Sequence, residues 1–283
     1  MLIEKRQDKC IECMLCARDC VMGIWRVIDG RTVPQKTELC NLCSHCVAVC
    51  PTEAIIHHGL DMRQITKVNK TSFHPDVFRD VVVSRRSVRQ FKDQPVPREI
   101  IERIIDLASF APTASNEQNV GYTVITDKEL LEKTAKKIFG TANFFYNLSQ
   151  TAIGRVFLRI SGLSENRYVR VMEYVQAKTI EEGRDFILHN APVLILIHAP
   201  QRRPFASDNC NIAATAMVHY AHVLGLGTCF IGLITLLLKF NFQLRKRLGV
   251  PSGRKVCAAL VLGYPAYLFT HTVSRKKPDV RWL

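Results

Sequence analysis

The chain has 283 residues, 47% of them hydrophobic, and its 39 Lys and Arg against 25 Asp and Glu give a formal net charge of +14; that length suits one small and one full-sized domain. The opening, Met1 to Arg6, is too polar for a signal peptide, and the longest uncharged apolar run, residues 223–238, is broken by Gly225, Gly227 and Gly232. These features exclude a membrane span and point to a reducing cytoplasm. No nucleic-acid motif accompanies the positive charge, so it reads as a surface for an anionic cofactor and an acidic redox partner, not for nucleic acid.

Eight of the eleven cysteines form two copies of one spacing, C-x2-C-x2-C-x3-C: Cys10, Cys13, Cys16 and Cys20, then Cys40, Cys43, Cys46 and Cys50. Three thiolates spaced three apart on a tight loop can reach three corners of one cube. The run resembles that of bacterial-type ferredoxins, in which the fourth cysteine serves the other of two [4Fe–4S] clusters. On that pattern Cys10, Cys13, Cys16 and Cys50 hold one cluster, and Cys40, Cys43, Cys46 and Cys20 hold the other. Zinc would need only two pairs of thiols and usually a longer spacer, and disulfides do not suit a reducing compartment. Pro51 follows the second motif as in ferredoxins, but Val21 follows the first. Ile24-Trp25 and Ile55-Ile56 are expected as small apolar caps over the clusters. The segment 1–62 is therefore read as a ferredoxin-like domain. The pair His57-His58 is expected to face solvent, because imidazole ligands need a converging set.

Residues 63–79 are polar and read as an irregular linker. A second domain, 80–283, then alternates helical and extended patterns. Residues 97–110 repeat Ile100, Ile101, Ile104, Ile105 and Ala108 at helical spacing, and 120–126 alternate as a strand. Residues 193–198 and 255–262 are apolar runs of the kind found in strands buried on both faces. Ser207-Asp208 is placed to cap a helix that ends at Gly225. Residues 140–190 look helical without a clear period. Cys210, Cys229 and Cys257 read as buried free thiols, with Cys229 the one nearest a candidate site.

Arg85-Arg86-Ser87-Val88-Arg89-Gln90-Phe91 places three guanidinium groups and a hydroxyl within five residues, a set that matches phosphate oxygens. It is followed in order by Ala111-Pro112-Thr113-Ala114-Ser115-Asn116-Glu117-Gln118, by Leu224 to Gly232, by Gly263-Tyr264-Pro265 and by Arg275-Lys276-Lys277-Pro278. Together these segments resemble the FMN-dependent nitroreductase family over residues 80–283. The resemblance implies an α+β fold with a central mixed sheet flanked by helices, and a homodimer with FMN at the interface. It assigns the FMN phosphate and ribityl chain to Arg85, Arg86, Ser87, Arg89, Arg275 and Lys276. Pro112, Thr113, Ala114, Asn116 and Gln118 match the stretch that reaches the flavin, and Phe230, Ile231 and Gly232 match the loop over its face. Three departures lie near the ring: Asn119-Val120 stands for the usual Pro-Trp, Phe230 for a Trp, and Thr113-Ala114 for a serine pair.

The expected protein is thus a ferredoxin–nitroreductase fusion passing electrons between two [4Fe–4S] clusters and FMN. Its acceptor is expected to be a small electron-poor molecule such as a nitroaromatic, quinone or enone. The donor is a ferredoxin or NAD(P)H; no G-x-G-x-x-G segment marks a separate dinucleotide domain. No side chain presents itself as general acid. The alternative is a carrier or sensor that exchanges electrons with an acidic protein and turns over no small molecule.

Overall fold

The computed structural model describes residues 2–68, 74–152, 154, 156, 174–179, 181, 183 and 185–283. The chain divides into two compact units, one of residues 1–74 with 113–117 and one of residues 75–112 with 118–283.

In the first unit, strand β1 (Ile3–Lys5) pairs antiparallel with β4 (Ile55–His57), and β2 (Trp25–Ile28) pairs with β3 (Arg31–Pro34). The second hairpin turns on Asp29-Gly30, both at positive φ (48° and 72°), as a two-residue turn between right-twisted strands requires. Two five-residue helices, α1 (Leu15–Asp19) and α2 (His45–Val49), occupy matching places in the two cysteine motifs. The core is small: Ile3, Cys16, Ile24, Trp25, Cys46 and Ile55.

The second unit holds helices α3 (Pro75–Ser84) and α4 (Arg98–Ser109), strand β5 (Gly121–Ile125) and helix α5 (Lys128–Gln150). Strand β6 (Val193–Pro200), helix α6 (Ala206–Val223) and strand β7 (Gly227–Phe230) follow, then α7 (Gly232–Phe240), α8 (Phe242–Arg247) and β8 (Arg254–Gly263). The sheet order is β5-β6-β8-β7. Every ladder in it is antiparallel, and the parallel element among the described residues is an isolated bridge, Ser87 with Thr228. The expected mixed sheet is therefore corrected. Apolar runs at 193–198 and 255–262 arise because helices cover both faces, which an antiparallel sheet also allows. Val193, Ile195 and Ile197 point into a core with α4 and α6. Leu194 and Leu196 point into a second core with α5, α7 and α8.

Other boundaries moved for local reasons. Helix α3 begins at Pro75, inside the stretch expected to be irregular. Helix α6 begins at Ala206 after Phe205 with no side-chain cap, so Asp208 lies in its first turn, where a carboxylate complements the helix dipole. Much of the weakly patterned stretch 140–190 lies outside the described residues beyond Gln150. Among the described residues no helix is long and apolar enough to cross a membrane.

Where β5 meets β6, His198 is buried, its Nδ1 accepting from Arg254 Nε at 2.7 Å and its Nε2 facing Thr123 Oγ1 at 3.0 Å. Arg254 also donates to the carbonyls of Asn119 and His198. Burial, and then Arg254, push the His198 pKa down to about 4. As pH falls below the ordinary value of 6.5 the unfolded chain takes up this proton first, so native stability is lost between about pH 6.5 and 4 and is level below that. Urea unfolding should show the wild-type advantage over His198→Gln shrinking by on the order of 3 kcal/mol from pH 7 to pH 4. An unchanged difference between the two proteins would refute this account of His198.

Candidate functional site

The two cysteine motifs share one backbone solution. Residues on both sides of each middle cysteine take left-handed φ: Glu12 (50°) and Met14 (61°) around Cys13, Leu42 (56°) and Ser44 (66°) around Cys43. Three residues past each fourth cysteine the chain is left-handed again, at Gly23 (62°) and Glu53 (54°). The next amide then donates to that cysteine's sulfur, Ile24 N to Cys20 Sγ at 3.4 Å and Ala54 N to Cys50 Sγ at 3.3 Å. Such φ values are costly for residues with a Cβ, and here they turn successive thiols to one side of the loop.

Cys10, Cys13, Cys16 and Cys50 line one recess. Cys20, Cys40, Cys43 and Cys46 line another. Every cysteine is a free thiol. No three His, Cys, Asp or Glu side chains among the described residues converge on a single-ion site. Four thiols spread around a recess suit a cluster that gives each thiolate its own iron. The indole N–H of Trp25 supports the fit: it lines the second recess, is buried and has only the Cys46 sulfur to face. The first loop is fastened by Glu12, whose carboxylate accepts from Lys5 Nζ (2.6 Å), Thr32 N (2.9 Å) and Thr32 Oγ1 (3.1 Å). Those bonds, Lys5 first, hold the Glu12 pKa down to about 2.

The expectation for His57 is overturned. It is 1% exposed, and its Nε2 lies 3.4 Å from Cys40 Sγ. The β1–β4 ladder sets it there, opposite Ile3. Gly59 lets the chain fold back, since a Cβ at that position would meet Leu2 and Leu42 at 2.9 Å. His58 instead stays half exposed near Glu4.

In the second unit three distant motifs are drawn together. Val88 N donates to Thr228 O and Lys92 N to Tyr264 O, while Ala266 N donates to Gln90 O, each at 2.9 Å. The 85–91 stretch thus runs between β7 and the Gly263-Tyr264-Pro265 turn. Glycine is required on both flanks: a Cβ at Gly227 would stand 2.6 Å from Val88, and one at Gly263 2.9 Å from Phe91.

Around this stretch positive charges gather without counter-charge. Arg85 is half buried, and burial, then the neighbouring Arg86, lower its pKa, with Arg275 adding to the effect. His219 and His222 are pushed down by burial and then by Arg85. The Cys229 thiol is raised by burial although Arg89, Ser87 and Arg85 favour its anion. Among the described residues no carboxylate lies within 4.0 Å of Arg85, Arg86, Arg89, Arg275 or Lys276. Such a set fits a phosphate dianion.

The residues assigned to one cofactor do not all behave alike. Arg86 is turned to main-chain carbonyls, its Nη1 donating to Val83 O and Arg85 O at 2.7 Å and its Nη2 to His271 O at 3.3 Å. It closes the end of α3. The Ile231 N–H is spent on Ala259 O, so the first free-facing amide of that loop is that of Gly232, at the start of α7. Pro112 is exposed, whereas Thr113, Ala114 and Asn116 belong by their contacts to the first unit, where Asn116 Nδ2 donates to Asn41 O at 2.9 Å. Ser115 and Asn116 are left-handed there, and so is Gln118, the next residue of the second unit after Glu117.

Residues 82–264 match the model described as the nitroreductase family, and residues 34–56 match a 4Fe-4S binding domain. A protein of Methanothermobacter thermautotrophicus named NADH dehydrogenase/NAD(P)H nitroreductase is 24% identical over 193 residues, 66% of this chain and 76% of that one. Iodotyrosine deiodinase 1 of Rattus norvegicus is 27% identical over 201 residues, 67% of this chain and 62% of that one. An FMN-bound nitroreductase of Bacteroides fragilis superposes with a TM-score of 0.55 at 19% identity, over 76% of this chain and 100% of that one.

The tight contact at Gly227 gives a direct check. Gly227→Ala should lower stability by about 1–3 kcal/mol, because stiff Val88 must move. Gly232→Ala, where a Cβ meets nothing within 4 Å, should stay within about 0.5 kcal/mol of wild type. Urea unfolding of the two variants decides, and equal losses would remove the packing argument.

Proposed function

We infer the function from one premise: the chain belongs to the nitroreductase family. The reading it supports is an FMN-dependent oxidoreductase that passes electrons between two [4Fe–4S] clusters and FMN and reduces a small electron-poor acceptor. The observation that carries it is the uncompensated cluster of Arg85, Arg89 and Arg275 beside Ser87, in a chain that also gathers its motif cysteines around two recesses.

Arg85, Ser87, Arg89 and Arg275 hold the cofactor phosphate, with Lys276 following. Arg86 positions Arg85 by tying down the end of α3. Gly232, beside Phe230 and Ile231, would offer its amide to the flavin ring. When bound, FMN supplies the junction between one-electron and two-electron chemistry. Cys10, Cys13, Cys16 and Cys50 ligate one cluster, and Cys20, Cys40, Cys43 and Cys46 the other. Pro112, Thr113, Ala114, Asn116 and Gln118 complete the flavin site, in a homodimer. The donor is NAD(P)H or a ferredoxin. The charge of +14 favours docking of an acidic protein, so a pure electron carrier is the second reading.

Anaerobic preparation should yield about eight irons and one FMN per chain. Arg85→Ala should weaken FMN retention by about ten- to a hundredfold, the loss of one charge-assisted contact, with iron content unchanged. Full flavin retention in that variant would sink the phosphate assignment. In anaerobic stopped-flow mixing, flavin bleaching by NADH or NADPH identifies the nucleotide as donor, and its absence with both assigns a ferredoxin. Failure of nitroaromatics and quinones to reoxidise the flavin would favour the carrier.

A further inference from the structure

The two recesses are alike in backbone and unlike in their donors. In the first, the single Thr32 hydroxyl proton is shared between the Glu12 carboxylate at 3.1 Å and the Cys16 sulfur, and the Lys5 charge lies 2.6 Å from the Glu12 carboxylate that balances it. Cys50 Sγ accepts from the Ala54 amide at 3.3 Å, as Cys20 does from Ile24, and meets the Thr52 hydroxyl at the longer distance of 3.7 Å, where either atom can donate. In the second, two buried ring N–H groups face the sulfur. The Gly59 N–H donates to His57 Nδ1 at 3.2 Å, which leaves the His57 proton on Nε2, 3.4 Å from Cys40 Sγ. The Trp25 indole N–H, 3% exposed at the residue, lines the same recess with no other acceptor.

Resting on the two-cluster reading above, we propose that His57 and Trp25 make the clusters inequivalent, so that the cluster held by Cys20, Cys40, Cys43 and Cys46 has the more positive potential and is where a single electron settles. Reduction adds one negative charge to a cluster. A hydrogen bond to its sulfur stabilises the reduced state more than the oxidised one, which raises the potential. Both donors are out of water, where such bonds are strongest. The Lys5 cation does not reverse the order, because Glu12 neutralises it within the same recess. His57 acts through Cys40 and is a positioning residue.

Potentiometric titration of the anaerobic holoprotein, followed by EPR of the reduced clusters, tests this. Wild type should show two separate one-electron steps. His57→Phe should lower the more positive step by about tenfold in its equilibrium, about 59 mV for a one-electron couple, and leave the other in place. His57→Gln, which keeps an N–H of similar reach, should recover part of the shift. Trp25→Phe keeps the ring and loses the donor, and should lower the same step; it decides the matter if His57→Phe fails to assemble. Unmoved steps in variants with full iron content, or movement of the less positive step, would overturn the inference. Wild type with far fewer than about eight irons would instead defeat the two-cluster reading on which it rests.

Discussion

In the first unit the side chains that make the core are partly those that line the recesses: Cys16 and Cys46 are buried beside Ile3, Ile24, Trp25 and Ile55. Its strands are three or four residues long and paired only two by two, an arrangement of marginal stability by itself. The loops add strain, because Glu12, Met14, Leu42, Ser44 and Glu53 are left-handed without being glycine, at about 1–2 kcal/mol each. A fold with so little apolar burial and so much local strain needs a further source of free energy. On the cluster reading, metal–thiolate bonds would supply one of the right size and place, and loading and folding of this unit would be one process.

The second unit is stabilised differently. Strand β6 is buried along nearly its whole length, its alternate side chains serving two separate cores. That double coverage is what fixes β8 and β7 beside it, and β7 in turn fixes the basic stretch 85–91 through Val88 and Thr228. The basic stretch therefore rests on a sheet edge reached by main-chain bonds, with Arg86 turned back to main-chain carbonyls. Glycines at 227 and 263 matter here as absent side chains: the first makes room for Val88, the second for Phe91 and Pro192.

What could be seen in the sequence follows from how local each feature is. The thiol groupings rest on spacings within eleven residues, plus one repeat of the same spacing, so the pattern is visible without any tertiary knowledge. His57 was not visible, because its place against Cys40, seventeen residues away, depends on the register of β1 with β4. Three arginines in Arg85 to Arg89 look equivalent on paper, yet the open carbonyls at the end of α3 capture Arg86. The apolar runs at 193–198 and 255–262 report burial on both faces but not strand direction, because helices can cover an antiparallel sheet as well as a parallel one; the mixed sheet was an implication of the resemblance, and the described ladders are antiparallel. Thr113 to Glu117 shows a further limit, since a short motif says nothing about which compact unit its contacts will join.

The cationic cluster has an energetic consequence of its own. Arg85 is held among Arg86 and Arg275, near His219 and His222, with burial opposing its charge. Keeping these cations close without a carboxylate destabilises the folded chain, and the depressed ionisation of Arg85 is the sign of it. An anion that binds only the folded form reverses the balance, by about 2.7 kcal/mol at a hundred times its dissociation constant. The two units thus reach the same condition by opposite routes. One has only a small core, made partly of its own thiols, and the other has a full core but carries a repulsion that a bound anion would cancel.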